Sequence, residues 1–405
     1  TLTYLDRICI SIVGVRMKSE LHLNNEQFGW VLAAFALAYA VFEIPSGMLG
    51  DRIGPRKIFI RIVILWSLFT ALTGLVNGLV SLLIVRFLFG VGESGTYPNS
   101  ILVVSRWFPV SETGKALSWV GIGSQLGAAI APLIIVPIAV AYGWRMPFFV
   151  IGSIGLLWVG VCYSWFRDFP MQMKAMPLAE KEMIGRSCRH KDQQHLVPWK
   201  LIFRNRTLWP LMLMYFCCQW ANYFFVAWMP VYLQEGRHIS ENSMKLITSL
   251  LFVVGIIGFL AGGAAGDRFL KRKGLKKGRR LTGMLGLGAC GFLLFMAAIS
   301  TNNTITASCL IGANFSFSFG VMVSYAVCAD IGRNNAGTVT GAMNFFGQMG
   351  AFSLALIFGK IVQVTHHFEY PLYLLAVVLL AGCLLWLAID PEKSLPLLET
   401  NDVHN

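Results

Sequence analysis

The stretch Gly47-Met48-Leu49-Gly50-Asp51-Arg52-Ile53-Gly54-Pro55-Arg56-Lys57 decides how this chain is read, because its core returns as Gly263-Ala264-Ala265-Gly266-Asp267-Arg268, followed by Lys271-Arg272-Lys273. Each copy closes an apolar run and opens onto basic residues. Apolar runs of about 20 residues are expected to cross a bilayer as helices. Twelve can be laid out, at 1–15, 27–49, 57–77, 79–105, 113–139, 146–166, 207–234, 245–265, 281–300, 304–328, 337–363 and 371–389. The copies follow the second and the eighth, so six spans separate them and the halves are parallel repeats about an axis along the membrane normal. The expected architecture is an all-α polytopic membrane protein of 12 transmembrane helices in two halves. Residues 1–166 form the N-terminal six-helix bundle, 167–206 a polar inter-bundle loop with a helix-friendly segment at 178–188, 207–390 the C-terminal bundle, and 391–405 a tail. The chain opens at Thr1 inside its first span, which predicts a natural N-terminus further upstream.

Composition agrees with a membrane solvent. Of 405 residues 56% are hydrophobic and 13% charged, against about 25% charged in soluble domains. The net charge of +13 would suit nucleic acid, but its placement argues otherwise. Of the 33 Lys and Arg, 25 fall on alternate loops and the tail, 5 on the opposite loops, and 3 (Arg7, Arg86 and Lys360) within spans. That asymmetry marks the basic side, and with it both termini, as cytoplasmic. The short loops point to a bacterial inner membrane. Nine cysteines show no metal or redox spacing and read as small core hydrophobes without disulfides. His366-His367 read as solvated rather than metal-binding. No Walker lysine follows any Gly-rich stretch, which disfavours ATP. No cofactor is called for.

Four charges stand inside apolar runs: Asp6, Arg7, Arg86 and Glu93. An ionisable group at mid-membrane depth costs about 2.5–3.5 kcal/mol on insertion scales, so it needs a partner, a cavity or a substrate. Arg86 and Glu93 lie seven residues apart, nearly two helical turns, and share a face. Asp6 and Arg7 are adjacent, point about 100° apart and need other partners. The expectation is that Asp6 and Glu93 balance Arg7 and Arg86 across a cavity. Gln219, Asn222 and Tyr223 in the seventh run are candidates for its wall, with helix-to-helix hydrogen bonding an equal alternative. Gly121, Gly123 and Gly127 read as a close-packing helix face.

The Gly50-Asp51-Arg52 loop and its echo resemble the motif between spans two and three of the major facilitator superfamily, the second copy being degenerate at Phe269-Leu270. By that resemblance Gly50, Asp51, Arg52, Arg56, Asp267 and Arg268 are gating residues, forming pairs when the cytoplasmic face closes. Tyr4-Leu5-Asp6-Arg7 together with Arg86-x-x-x-Gly90-x-x-Glu93 further resembles the anion:cation symporter family of that superfamily, as do Tyr39, Ser105-Arg106-Trp107-Phe108-Pro109 and Asn344. Members carry sugar acids such as galactonate, hexuronates and glucarate, other carboxylates, and in animal relatives sialic acid, glutamate or phosphate. The resemblance implies a non-enzymatic, proton-coupled importer of a small organic anion, working as a monomer in the lipid bilayer. Asp6 and Glu93 would be proton-coupling acids, Arg7 or Arg86 the holder of the substrate carboxylate, and Tyr39, Gln125 and Asn344 hydrogen-bonding partners. Two positions depart from the pattern. Gln125 is one place off, and Glu43 stands where sugar-acid members often carry glutamine. Glu43 is read as pairing with an arginine, with an altered proton count as the alternative. An efflux antiporter, an organic-phosphate exchanger and a non-transporting nutrient sensor remain open on the same scaffold.

Overall fold

The computed structural model describes residues 1–108, 113–173, 177, 208–332 and 336–393. The expected helix at 178–188, nearly all of the inter-bundle loop and most of the tail lie outside them. Among the described residues the structure is helical, without strands. The first apolar run is longer than expected, since α1 (Leu2–Ile12) leads directly into α2 (Gly14–Glu20). Helix α3 (Asn25–Ile53) begins at a reciprocal cap in which the Asn24 side chain accepts from the Gln27 amide and the Gln27 side chain accepts from the Asn24 amide. It ends in the repeated motif, where Gly54 adopts φ +90° and Pro55 takes the first turn of α4 (Pro55–Thr73).

The fourth run is broken. Helix α5 (Leu79–Glu93) stops beside Glu93, and α6 (Thr96–Trp107) restarts beyond Gly95 at φ +85°, a left-handed value that glycine adopts without strain. This break fixes where the Glu93 carboxyl sits. Helices α7 (Thr113–Tyr142) and α8 (Met146–Trp165) complete the first repeat. The second begins with α9 (Trp209–Tyr223), continued by π-helical turns at Phe224–Trp228 and Tyr232–Gly236 on either side of Pro230. It continues through α10 (Glu241–Ile299), α11 (Asn303–Gly332), α12 (Ala336–Thr365) and α13 (Glu369–Leu385). The eighth and ninth apolar runs are joined in α10, which bends at Gly274.

Six described helices are long and apolar enough to cross a membrane by length and composition, Glu241–Ile299 carrying two of the expected runs. Their outward faces are apolar, with Leu157, Val161, Leu260 and Phe292 exposed, as lipid contact requires. The repeats meet along two equivalent seams, α3 against α12 and α7 against α10. At the first seam Gly29 and Gly359 bring the backbones together, a spacing that no larger side chain would allow. Gly127 of α7 likewise receives the start of α1.

Candidate functional site

A cavity of about 1010 Å³ lies between the repeats. Its wall includes Phe59, Phe108 and Trp119, so it opens toward the end that carries Arg52, Arg56 and Lys57. At its blind end is a narrow polar recess of about 20 Å³ lined by Arg7, Arg86, Gln219, Asn222, Tyr223 and Gln348, among others. One wall is therefore cationic and comes from the first repeat. The other is built of uncharged amides from the second.

The four charges do not pair symmetrically. Arg7 Nε donates to Glu93 Oε1 at 2.6 Å, and this is the one ion pair among them. The Arg7 guanidinium also lies 4.6 Å from the Tyr39 ring centroid and 5.2 Å from that of Phe35. Asp6 accepts instead from Thr70 Oγ1 at 2.9 Å, and its other oxygen has no partner. Arg86 has no carboxylate within ion-pair distance among the described residues. Its guanidinium rests on the faces of Phe35 and Phe89, at 5.1 and 4.7 Å, with Nε unpartnered. The expected balance of two acids against two arginines across a cavity is thus corrected. Glu93 and Asp6 are buried behind the wall and do not line it, while Arg7 and Arg86 do. Glu93 is the last residue of α5, and Arg7 of α1 meets its carboxyl there through Nε alone.

The remaining expected residues are placed as follows. Tyr39, Glu43, Gln125, Asn222 and Asn344 all line the cavity. Gln125 Nε2 donates to Ser318 Oγ at 3.1 Å across the α7–α10–α11 contact, so it is already engaged. Asn344 and Asn222 carry no protein hydrogen bond through their side chains among the described residues. Glu43 makes neither an ion pair nor a hydrogen bond among the described residues, contrary to the pairing expected of it. Sequence reasoning missed Thr70 and Gln348. Gln348 follows Asn344 by one helical turn, a spacing that would have pointed to it.

The gating residues are dispersed. Gly50 backs onto the Asn99 side chain, which donates to the Gly95 carbonyl at 2.7 Å. Arg56 stays within its own repeat: its amide donates to Asp168 Oδ1 at 2.8 Å and its guanidinium to the Tyr163 carbonyl. Arg52, Asp267 and Arg268 are exposed and make no ion pair among the described residues, and the side chain of Asp51 lies outside the described ones. Ion pairs at this end join other residues of the second repeat, Arg279 to Asp330 at 2.9 Å and Lys276 to Asp390 at 2.6 Å. The hydrogen bond from Lys276 holds the Asp390 carboxyl below the usual aspartate range.

Paired helical repeats around a central hollow open at one end define an integral membrane transporter rather than an enzyme. The comparisons agree. The model of the Major Facilitator Superfamily matches residues 1–355, and the chain belongs to that family. Its relatives include the probable sulfoacetate transporter SauU of Cupriavidus necator, 32% identical over 397 residues, covering 96% of this chain and 91% of that protein. The probable L-galactonate transporter of Escherichia coli is 28% identical, covering 97% and 88%. The hexuronate transporter of Bacillus subtilis is 29% identical, covering 91% and 86%. Among solved structures, an inward-facing bacterial homolog of the human lysosomal transporter Spinster superposes with a TM-score of 0.76 at 17% identity, covering 96% of this chain and 94% of that one. That likeness establishes the fold, and the fold implies twelve spans.

Proposed function

We propose that this protein is a proton-coupled symporter that imports a small organic anion, a sugar acid or a related carboxylate, by alternating access. The observation that carries the reading is Arg86. A buried cation without a counter-ion is costly, and this one faces a recess whose other walls are Gln219, Asn222 and Gln348. A carboxylate on Arg86 would remove that cost through a bidentate fork. The amides opposite, with Asn344, offer donors and acceptors to hydroxyls on the rest of the molecule. The relatives are named for sulfoacetate, L-galactonate and hexuronate, all small organic anions.

Coupling follows from the Arg7–Glu93 pair. Protonation of Glu93 and Asp6 from the far side releases Arg7, leaving two guanidiniums for the anion. The loaded repeats, 1–166 and 207–390, then rock about the seams. The anion leaves first to the open end, and the return of Arg7 to Glu93, the pair seen at 2.6 Å, then expels the proton. The open end is taken as cytoplasmic, the setting as a bacterial inner membrane, and the working unit as a monomer.

The test is uptake into proteoliposomes of L-galactonate, D-glucuronate, D-glucarate and sulfoacetate under an imposed proton gradient. The wild type is expected to accumulate at least one of them. Arg86→Lys should weaken binding about 100-fold, since an ammonium cannot form the fork, and Glu93→Gln should abolish gradient-driven accumulation. Undiminished binding by the first variant, or unchanged accumulation by the second, would remove the residue from its role.

A further inference from the structure

We propose that Glu43 is the proton exit port of the transport cycle, relaying the proton of Glu93 to the water of the open cavity. The inference rests on the symport reading above.

Three acids lie in the first repeat at membrane depth, and they differ in access. Asp6 and Glu93 are 3% and 0% exposed and line neither the cavity nor its recess. Glu43 is nearly as buried, at 7%, yet it lines the cavity. A proton leaving Glu93 must therefore cross the wall. The residue that separates the two acids is Tyr39, one helical turn before Glu43 on α3, and its ring lies 4.6 Å from the Arg7 guanidinium that clamps Glu93. Tyr39 also lines the cavity, and its hydroxyl is near enough to interact electrostatically with Glu43 on one side and Glu93 on the other.

The groups facing Glu43 suit a transient acceptor. Arg7 approaches from α1 and Tyr97 from α6, with Tyr39 on its own helix, and the described cavity wall of the second repeat is uncharged, with Tyr215, Tyr325, Asn344 and Gln348 among its polar residues. Arg7 is committed to Glu93, so no cation holds Glu43 permanently as a carboxylate. A carboxyl fixed in an ion pair could not pass protons on. One without such a partner, wetted from one side, can.

The step balances simply. The Glu93 O–H bond breaks as Arg7 closes on the carboxylate left behind. The proton passes through the Tyr39 hydroxyl to the Glu43 carboxylate, and then to cavity water. Glu43 ends as it began, so it speeds release without adding to the number of protons carried per anion.

The experiment separates net uptake from counterflow in proteoliposomes, using L-galactonate, D-glucuronate, D-glucarate or sulfoacetate, whichever the wild type accumulates. Counterflow exchanges labelled for unlabelled anion and needs no net proton release. Glu43→Gln is expected to slow proton-driven net uptake about tenfold or more, to leave counterflow within about twofold, and to leave the proton-to-anion ratio unchanged. Glu43→Asp should restore net uptake, and melting temperature in detergent would confirm that both variants fold. Equal losses in net uptake and counterflow would overturn the relay in favour of a structural or substrate-binding role. A ratio lower by one proton would overturn it in favour of a third carried proton. If the wild type accumulates none of the probes, the symport reading fails and takes the relay with it.

Discussion

At the end away from the basic loops, Arg16 and Lys18 of the first repeat grip Glu241 and Glu235 of the second, whereas at the basic end Asp267 and Arg268 are exposed, with no ion pair among the described residues. Arg16 does so bidentately, at 2.7 and 3.2 Å, which raises its pKa above the ordinary arginine value. Lys18 reaches both oxygens of Glu235, at 2.6 and 2.9 Å, and also bonds the Asn25 side chain. Below this rim the Asn25 amide donates to Gln363, and the Tyr223 hydroxyl to the Leu32 carbonyl at 2.7 Å. Apart from the bond between Lys18 and Asn25, every one of these contacts joins the two repeats. The ion pairs described at the open end all lie within one repeat. The end that is closed in this structure is thus held by charge pairs across the repeats, whereas the described charge pairs of the open end stay inside one of them.

The comparison can be broken most directly at Lys18. Lys18→Glu would set two carboxylates against each other in a half-buried site, costing at least about 1.4 kcal/mol, a tenfold shift between states. Spin labels on Tyr142 and Asn242, at the outer ends of α7 and α10, are expected to report a longer distance. The charge swap of Lys18→Glu with Glu235→Lys should bring it back. A smaller effect is expected at the open end. Arg268→Ala should leave the stability of the purified protein within about 0.5 kcal/mol, since it is exposed and makes no ion pair or hydrogen bond among the described residues, yet slow uptake if the motif closes this end later in the cycle. An unchanged uptake rate would deny it that role. Smallest is the contact at the rim from Glu20 to Arg145 and Trp144, which holds the Glu20 carboxyl below its ordinary range. A carboxyl with a depressed folded pKa stabilises above its unfolded value and loses this contribution as pH falls through the folded one. Glu20→Gln should therefore lower stability by less than about 1 kcal/mol at neutral pH, and the gap should vanish in acid thermal melts.

Much of this was legible in the sequence, for reasons that differ by residue type. The repeat and the apolar runs announced the fold because a bilayer tolerates so few alternatives. Asp6, Arg7, Arg86 and Glu93 stood out because charge is rare at that depth. Their pairing was not legible, since it depends on a break at Gly95 and on which way α5 turns its last residue. Thr70, which holds Asp6, was invisible, because a threonine in an apolar helix commonly satisfies itself on its own backbone. Gln348 was missed because uncharged amides cost little in packed helices and so mark no site by themselves. The solitude of Arg86 could be seen only once every neighbour was in place.

The hydroxyl of Tyr223 resting on the Leu32 carbonyl has a consequence for how the seal behaves in different media. Concentrated electrolyte weakens attraction between exposed charges, so the rim of lysines, arginines and glutamates would loosen in brine. A neutral bond onto a helix backbone in a dry layer beneath it feels no such loss. The barrier at the closed end is thus double, one part tuned by salinity and the other indifferent to it.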